Sequence, residues 1–124
     1  MSKFVKLRTE LREVALVKQA LDDLKLRYDE DAQYRHIFSG ANTRAALIVH
    51  APGGNFGLNP NAEGVLEVMG DSMQMARVKQ TLAQIQQRYA YHMVMQETAR
   101  AGFDLVEEQT GSDHVIRLTV RRWN

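Results

Sequence analysis

The side chains best suited to chemistry in this 124-residue chain are its four histidines, His36, His50, His92 and His114. No two have the i, i+4 spacing that sets a pair of ligands on one helix face, so the sequence predicts no metal site. The acidic run Tyr28-Asp29-Glu30-Asp31 offers three carboxylates, but adjacent residues converge on one ion only when a loop is folded for it. A solvated turn is the simpler reading. The stretch Pro52-Gly53-Gly54-Asn55-Phe56-Gly57 has the glycines of a phosphate loop. It lacks the Lys-Ser or Lys-Thr that follows one, and no helix N-terminus is predicted after it to receive a phosphate. It reads as a turn leading into a strand. Ser2, Ser39, Ser72 and Ser112 fall at the terminus or in caps and turns, not in a strained elbow facing a base. Glu107 and Glu108 are neighbours on a predicted strand and point to opposite faces, so they cannot act as a pair. Cysteine is absent, which removes disulfides, thiolate chemistry and Cys-held metals. The expectation is no catalytic residue, no metal and no cofactor.

These side chains sit in a chain of ordinary composition. An apolar content of 44% and a charged content of 25% suit one globular domain over residues 1–124. Sixteen Lys and Arg against fifteen Asp and Glu leave a net charge of +1, which gives no bulk attraction for nucleic acid. The longest uncharged apolar run, residues 45–49, is too short to span a membrane. The N-terminus has charge but no apolar stretch of signal-peptide length. The sequence points to the cytoplasm and to no membrane partner.

The best-patterned region is residues 88–123. Val78, Leu82, Ile85, Tyr89, Met93 and Gln96 recur at steps of three and four, the stripe of a long helix ended by Gly102. Period-two spacing then predicts two strands, with Phe103 and Leu105 on one and Ile116, Leu118 and Val120 on the other. Residues 110–113 form the turn between them. Upstream, residues 3–7 read as a first strand. Thr9 reads as the N-cap of a helix to about residue 26, with Leu11, Val14, Val17, Leu21 and Leu24 along one face. Residues 33–38, 44–50, 55–59 and 65–69 read as strands separated by turns, and Asp71 or Ser72 caps the long helix. Gly57 within a strand marks a bulge or a close backbone approach.

The order β-α-β-β-β-β-α-β-β is an α+β pattern: a single antiparallel sheet with both helices packed on one face. Leu82, Ile85, Tyr89, Leu105, Leu118 and Val120 are its expected core, and the last strand is expected to pair within that sheet.

One stretch departs from simple amphipathicity. Residues 89–95 are apolar nearly all round, and Tyr91, Val94 and Met95 point away from the buried stripe. Either a hairpin of the same chain covers this back face or a partner does. Five of the six methionines lie between Met69 and Met95, and Met is over-used on adaptable binding surfaces. Met73 and Met75, at the helix start, are the two expected to be exposed.

Residues 88–92 (Arg-Tyr-Ala-Tyr-His), Gly102-Phe103, Glu107-Glu108, Ile116-Arg117-Leu118 and Val120-Arg121-Arg122-Trp123 resemble the C-terminal signature of the hypothetical chloroplast reading frame thirty-five family. This is a domain of unknown function with plastid, cyanobacterial and bacterial members. Phe56-Gly57-Leu58 and the opening Met-Ser-Lys-Phe are similar to its central and first segments. Where that family usually carries a tryptophan pair before a glycine, this chain has Val68-Met69 before Gly70. The resemblance implies a compact one-domain fold and brings no reaction, substrate or cofactor.

The functional expectation is a non-enzymatic binding or adaptor protein. It engages a protein partner, or a second copy of itself, through Tyr91, Val94, Met95, Met73 and Met75. The alternative is RNA or single-stranded DNA binding, with Arg117, Arg121 and Trp123 on one strand face holding phosphates and stacking bases.

Overall fold

A computed structural model describes residues 2–113 and 115–122, so His114 and Trp123 lie outside the described residues. The elements follow the expected order: β1 (Phe4–Arg8), α1 (Val14–Asp23), β2 (Arg27–His36), β3 (Ala41–His50), β4 (Phe56–Pro60), β5 (Leu66–Asp71), α2 (Met75–Arg100), β6 (Phe103–Thr110) and β7 (Ile116–Arg122). A 3-10 turn, Ser72–Gln74, leads into α2, and the Asp71 carboxylate caps it by accepting the Met73 N–H at 3.2 Å. Gly102 takes φ 84° after the last turn of α2, the left-handed stop its position predicts.

The strands form two sheets instead of one. The main sheet has five antiparallel strands in the order β1-β5-β4-β3-β2, and among the described residues β6 and β7 pair only with each other. The reason is length. With 26 residues α2 runs about 39 Å, whereas a six-residue strand such as β5 covers about 20 Å. The chain leaves α2 beyond the sheet edge and can only fold back on the helix.

Both helices do pack on one face of the main sheet. Leu16, Val17, Ala20 and Leu21 of α1 and Val78, Leu82, Ile85 and Tyr89 of α2 bury against Leu47, Val49, Phe56, Leu58, Leu66 and Val68. Of the expected core, Leu82, Ile85 and Tyr89 are buried, but Leu105 and Leu118 are half-buried and Val120 is 40% exposed. Those three belong to the separate hairpin, which packs against α2.

Thr9 does not cap α1, which begins at Val14. Its hydroxyl donates to the Leu66 carbonyl at 2.7 Å and accepts the Leu11 N–H at 3.0 Å, fixing the exit of β1 to β5. The start of α1 is held from across the core. The Tyr89 hydroxyl accepts the N–H groups of Arg12 and Glu13, both at 3.1 Å. At its other end, Asp23 accepts from Arg88 Nε at 2.9 Å and from His92 Nε2 at 2.6 Å, clamping α1 to α2.

The acidic run is not a turn but the opening of β2. Its carboxylates are dispersed: Asp29 binds His50 at 2.7 Å, Glu30 binds Lys18 at 2.7 Å and Asp31 binds Arg44 at 3.3 Å. At Asp31 the backbone takes φ 48°, its bridge to Ala46 is missing, and the Ala46 N–H goes instead to Asn59 Oδ1 at 3.1 Å. Strand faces exchange there. Tyr28 packs on the helix-side core, but Tyr34, an even number of residues later, joins Ala45, Ile48 and Met69 in a cluster on the opposite face. Gly57 lies in that cluster, where a Cβ would stand 2.7 Å from Met69 Cγ; this is the close approach that its glycine permits.

The second cluster exists because the sheet curls. Neighbouring strands lie about 4.8 Å apart, so β2 and β5, three steps apart, would be separated by roughly 14 Å in a flat sheet. Instead His36 Nε2 of β2 stands 2.7 Å from Asp71 Oδ1 of β5, and the rings of Tyr34 and Phe4 lie 6.0 Å apart. The end of the β2–β3 hairpin folds across the sheet face opposite the helices.

Candidate functional site

The back face of α2 is only partly covered. The β6–β7 hairpin lies along it, and Tyr91 is held on both sides. The Arg88 guanidinium carbon sits 4.2 Å above the Tyr91 ring, and Glu108 of β6 hydrogen-bonds its hydroxyl. Burial, and then the Glu108 bond and charge, push the Tyr91 pKa above its ordinary value, so the phenol keeps its proton. Beside it runs a groove of about 300 Å³ lined by Ala90, Tyr91, Val94, Val115, Ile116 and Leu118. Val94 and Val115 stand at its rim, 46% and 48% exposed.

The structure therefore brings Tyr91 and Val94 together and sets Met95 beside them, half-buried. Met75 is not exposed as expected, because it packs against the helix-side core. Met73 is exposed, but the chain advances about 28 Å along α2 between Met75 and Val94, so Met73 cannot share their surface. On β7, Arg117 pairs with Asp113 at 3.0 Å, and Arg121 stands opposite Asp104 in the strand register.

A second site lies toward the start of α2, and no motif in the sequence marks it. The 2.7 Å contact between His36 and Asp71 is almost wholly buried. The Ser39 hydroxyl lies 2.6 Å from His36 Nδ1, and the Ser39 N–H also donates to that nitrogen, at 3.1 Å. A nitrogen that accepts from an amide N–H carries no proton, so the imidazole proton resides on Nε2, toward Asp71. The second Asp71 oxygen is the one that caps the 3-10 turn. Both carboxylate oxygens are thus engaged.

Around this linkage opens a cleft of about 470 Å³. Tyr34, Arg35, His36, Asn55 and Gln74 are among the residues that line it. The glycine turn forms one wall. The sequence places no helix N-terminus after that turn, yet the fold sets one beside it: Gly54 lies against Gln74, and Arg77 of the first turn of α2 crosses Gly53. Ile37 and Phe38, at the hairpin tip, form the opposite rim and are 89% and 80% exposed. Period two puts Tyr34 and His36 on one face, but their meeting with Asp71 depends on the curl at Asp31. No local pattern encodes that meeting.

Each described histidine is bonded to a carboxylate, His36 to Asp71, His50 to Asp29 and His92 to Asp23. Among the described residues no three His, Asp or Glu side chains gather as a metal site, and no helix is long and apolar enough to cross a membrane.

The fold and its surfaces define a small α+β protein with one five-stranded sheet, two helices on one face and an appended hairpin. The chain belongs to the family described as protein of unknown function DUF1257, which matches residues 20–119. It is 29% identical to the uncharacterized protein ycf35 of Pyropia yezoensis over 129 residues, covering 100% of this chain and 99% of that one. It is 30% identical to the ycf35 protein of Guillardia theta, over 99% and 98% of the two chains, and 28% identical to that of Cyanophora paradoxa, again over 99% and 98%. No solved structure matches it.

Proposed function

We propose that the protein is a non-enzymatic binding protein of the cytoplasm or its plastid equivalent, which takes an extended apolar segment of a partner protein into the groove between α2 and β7. The observation that carries this reading is the pair of exposed valines, Val94 and Val115, at the rim of a groove lined almost wholly by apolar side chains. Water disfavours such a surface, and aromatic and apolar groups of this kind are enriched at protein contacts. The kind of partner is suggested by the hairpin. A two-stranded sheet is marginal alone, and among the described residues no third strand pairs with β6 or β7. A strand added to the open edge would complete it and send alternate side chains into the groove.

The test is a photo-crosslinker at Val115 in the full chain, exposed to native extract, with and without Val94→Glu. The reading expects one discrete crosslinked protein that disappears in the Val94→Glu chain while circular dichroism and melting are unchanged. Crosslinks that are diffuse, or that Val94→Glu leaves in place, defeat it.

Nucleic-acid binding has less support. Arg117 already has an acidic partner and Arg121 faces Asp104, so two of the three residues that would meet phosphates are partly neutralised.

A further inference from the structure

The three most exposed large apolar side chains among the described residues gather at one end of the fold. Ile37 is 89%, Phe38 80% and Met73 69% exposed. They come from two segments, the tip of the β2–β3 hairpin and the 3-10 turn before α2, and one carboxylate ties these together. Asp71 Oδ1 stands 2.7 Å from Nε2 of His36, the residue before Ile37, and the other Asp71 oxygen accepts the Met73 N–H at 3.2 Å. Scattered apolar residues on a surface are ordinary, but a cluster of them marks a contact. A turn normally carries Gly, Asn, Asp or Ser at such positions, so the pair Ile37-Phe38 is not explained by the turn itself.

The unpaired charges at this end have one sign. The Lys3 N–H donates to Ser72 Oγ and the Lys3 carbonyl accepts the Ser72 N–H, both at 2.8 Å, which sets Lys3 beside Met73. Arg35 precedes Ile37 by two residues and lies on the strand face away from His36. Arg77, in the first turn of α2, crosses Gly53 of the glycine turn. All three cations are exposed, and none has an acidic partner among the described residues. Asp71, the carboxylate among the residues that line the neighbouring cleft, is taken up by His36 and the Met73 N–H. Three cations thus surround the apolar cluster in a chain whose net charge is only +1.

Apolar side chains that protrude within a ring of cations match a surface that is anionic outside and apolar beneath, as a bilayer with anionic headgroups is. A groove such as the one beside α2 suits a segment of a protein. A protruding tip suits a fluid layer that closes around it.

We infer that the protein docks by this end on an anionic lipid surface, with Ile37, Phe38 and Met73 entering the boundary between headgroups and acyl chains and Lys3, Arg35 and Arg77 lying against the headgroups. Docking of this kind needs a few side chains and no spanning segment. The α2–β7 groove is a separate surface, so either reading can fail without the other.

The experiment is sedimentation of the full chain with vesicles of phosphatidylcholine alone and of phosphatidylcholine mixed with phosphatidylglycerol, at low and high salt. The wild type should sediment with the phosphatidylglycerol vesicles, less so at high salt, and not with the neutral ones. Arg35→Gln and Arg77→Gln should each weaken the partition about fivefold, the worth of one cation near an anionic surface. Ile37→Ser combined with Phe38→Ser should weaken it at least about tenfold through lost apolar burial. These side chains are exposed, so melting should not change. Val94→Glu, in the other surface, should bind vesicles as the wild type does. The inference is overturned if the wild type does not sediment with phosphatidylglycerol vesicles, if salt has no effect, or if the Ile37→Ser, Phe38→Ser chain binds as tightly as the wild type. A wild type that ignores vesicles but forms a dimer, which the same double variant abolishes, would also overturn it and would assign this end to a contact between copies.

Discussion

The hydroxyl of Tyr89 lies 3.1 Å from the backbone nitrogen of Glu13, the residue that caps α1, and it accepts that N–H together with the one before it. A side chain midway along α2 therefore anchors the backbone that enters α1, as the Glu of a capping box does when it accepts the N-cap N–H. Tyr89→Phe keeps the buried ring and removes only the acceptor. Two N–H groups at a partly buried helix start then lose their partner, which should cost about 1–3 kcal/mol. Urea denaturation measures it, and a cost near zero would mean that solvent replaces the hydroxyl.

Asp23 predicts how the clamp between the helices responds to acid. Burial raises its carboxyl pKa, but hydrogen bonds and charge from His92 and Arg88 outweigh this and hold it below its ordinary 3.8. A carboxyl depressed in the folded state contributes stability that is present above the unfolded value and is lost as pH falls through the folded one. Asp23→Asn should therefore lower the melting temperature at about pH 5 and make progressively less difference below about pH 4. Melts of both proteins between those values check it; a difference that grows on acidification contradicts it.

Core substitutions should divide by sheet. Phe56, fully buried beneath both helices, should cost about 3–5 kcal/mol on replacement by Ala. Leu118, half-buried in the hairpin, should cost about 1–2 kcal/mol, and Val120→Ala should fall within about 0.5 kcal/mol of the wild type. Equal costs for Phe56→Ala and Leu118→Ala would mean that the hairpin belongs to the same core.

Ending the chain at Gly102 tests the same division. The five-stranded sheet and both helices remain, and every buried residue of the helix-side core is kept. The shortened chain should still melt cooperatively and, with Tyr91 and Val94 uncovered, should self-associate more than the full chain. A non-cooperative melt would show that the hairpin is needed for folding.

The elements and their order can be read from the residues alone. Periods of 3.6 and 2 are properties of local backbone geometry, so Val78, Leu82, Ile85 and Tyr89 declare a buried helix stripe, and Gly102 declares its end, without reference to anything distant. Asp71 was legible as a cap for the same reason. Which strands share a sheet was not. The expectation that Leu118 and Val120 enter the main core failed because α2 outruns the sheet, a matter of summed length and not of pattern. The face of Tyr34 was hidden by one positive φ at Asp31, which exchanges the two sides of β2. That His36 meets Asp71, 35 positions away, beside a cleft lined by Gln74 and a glycine turn, follows from tertiary packing alone. Such meetings depend on how a sheet curls, and curl arises from the packing of both faces together, which no window of sequence contains.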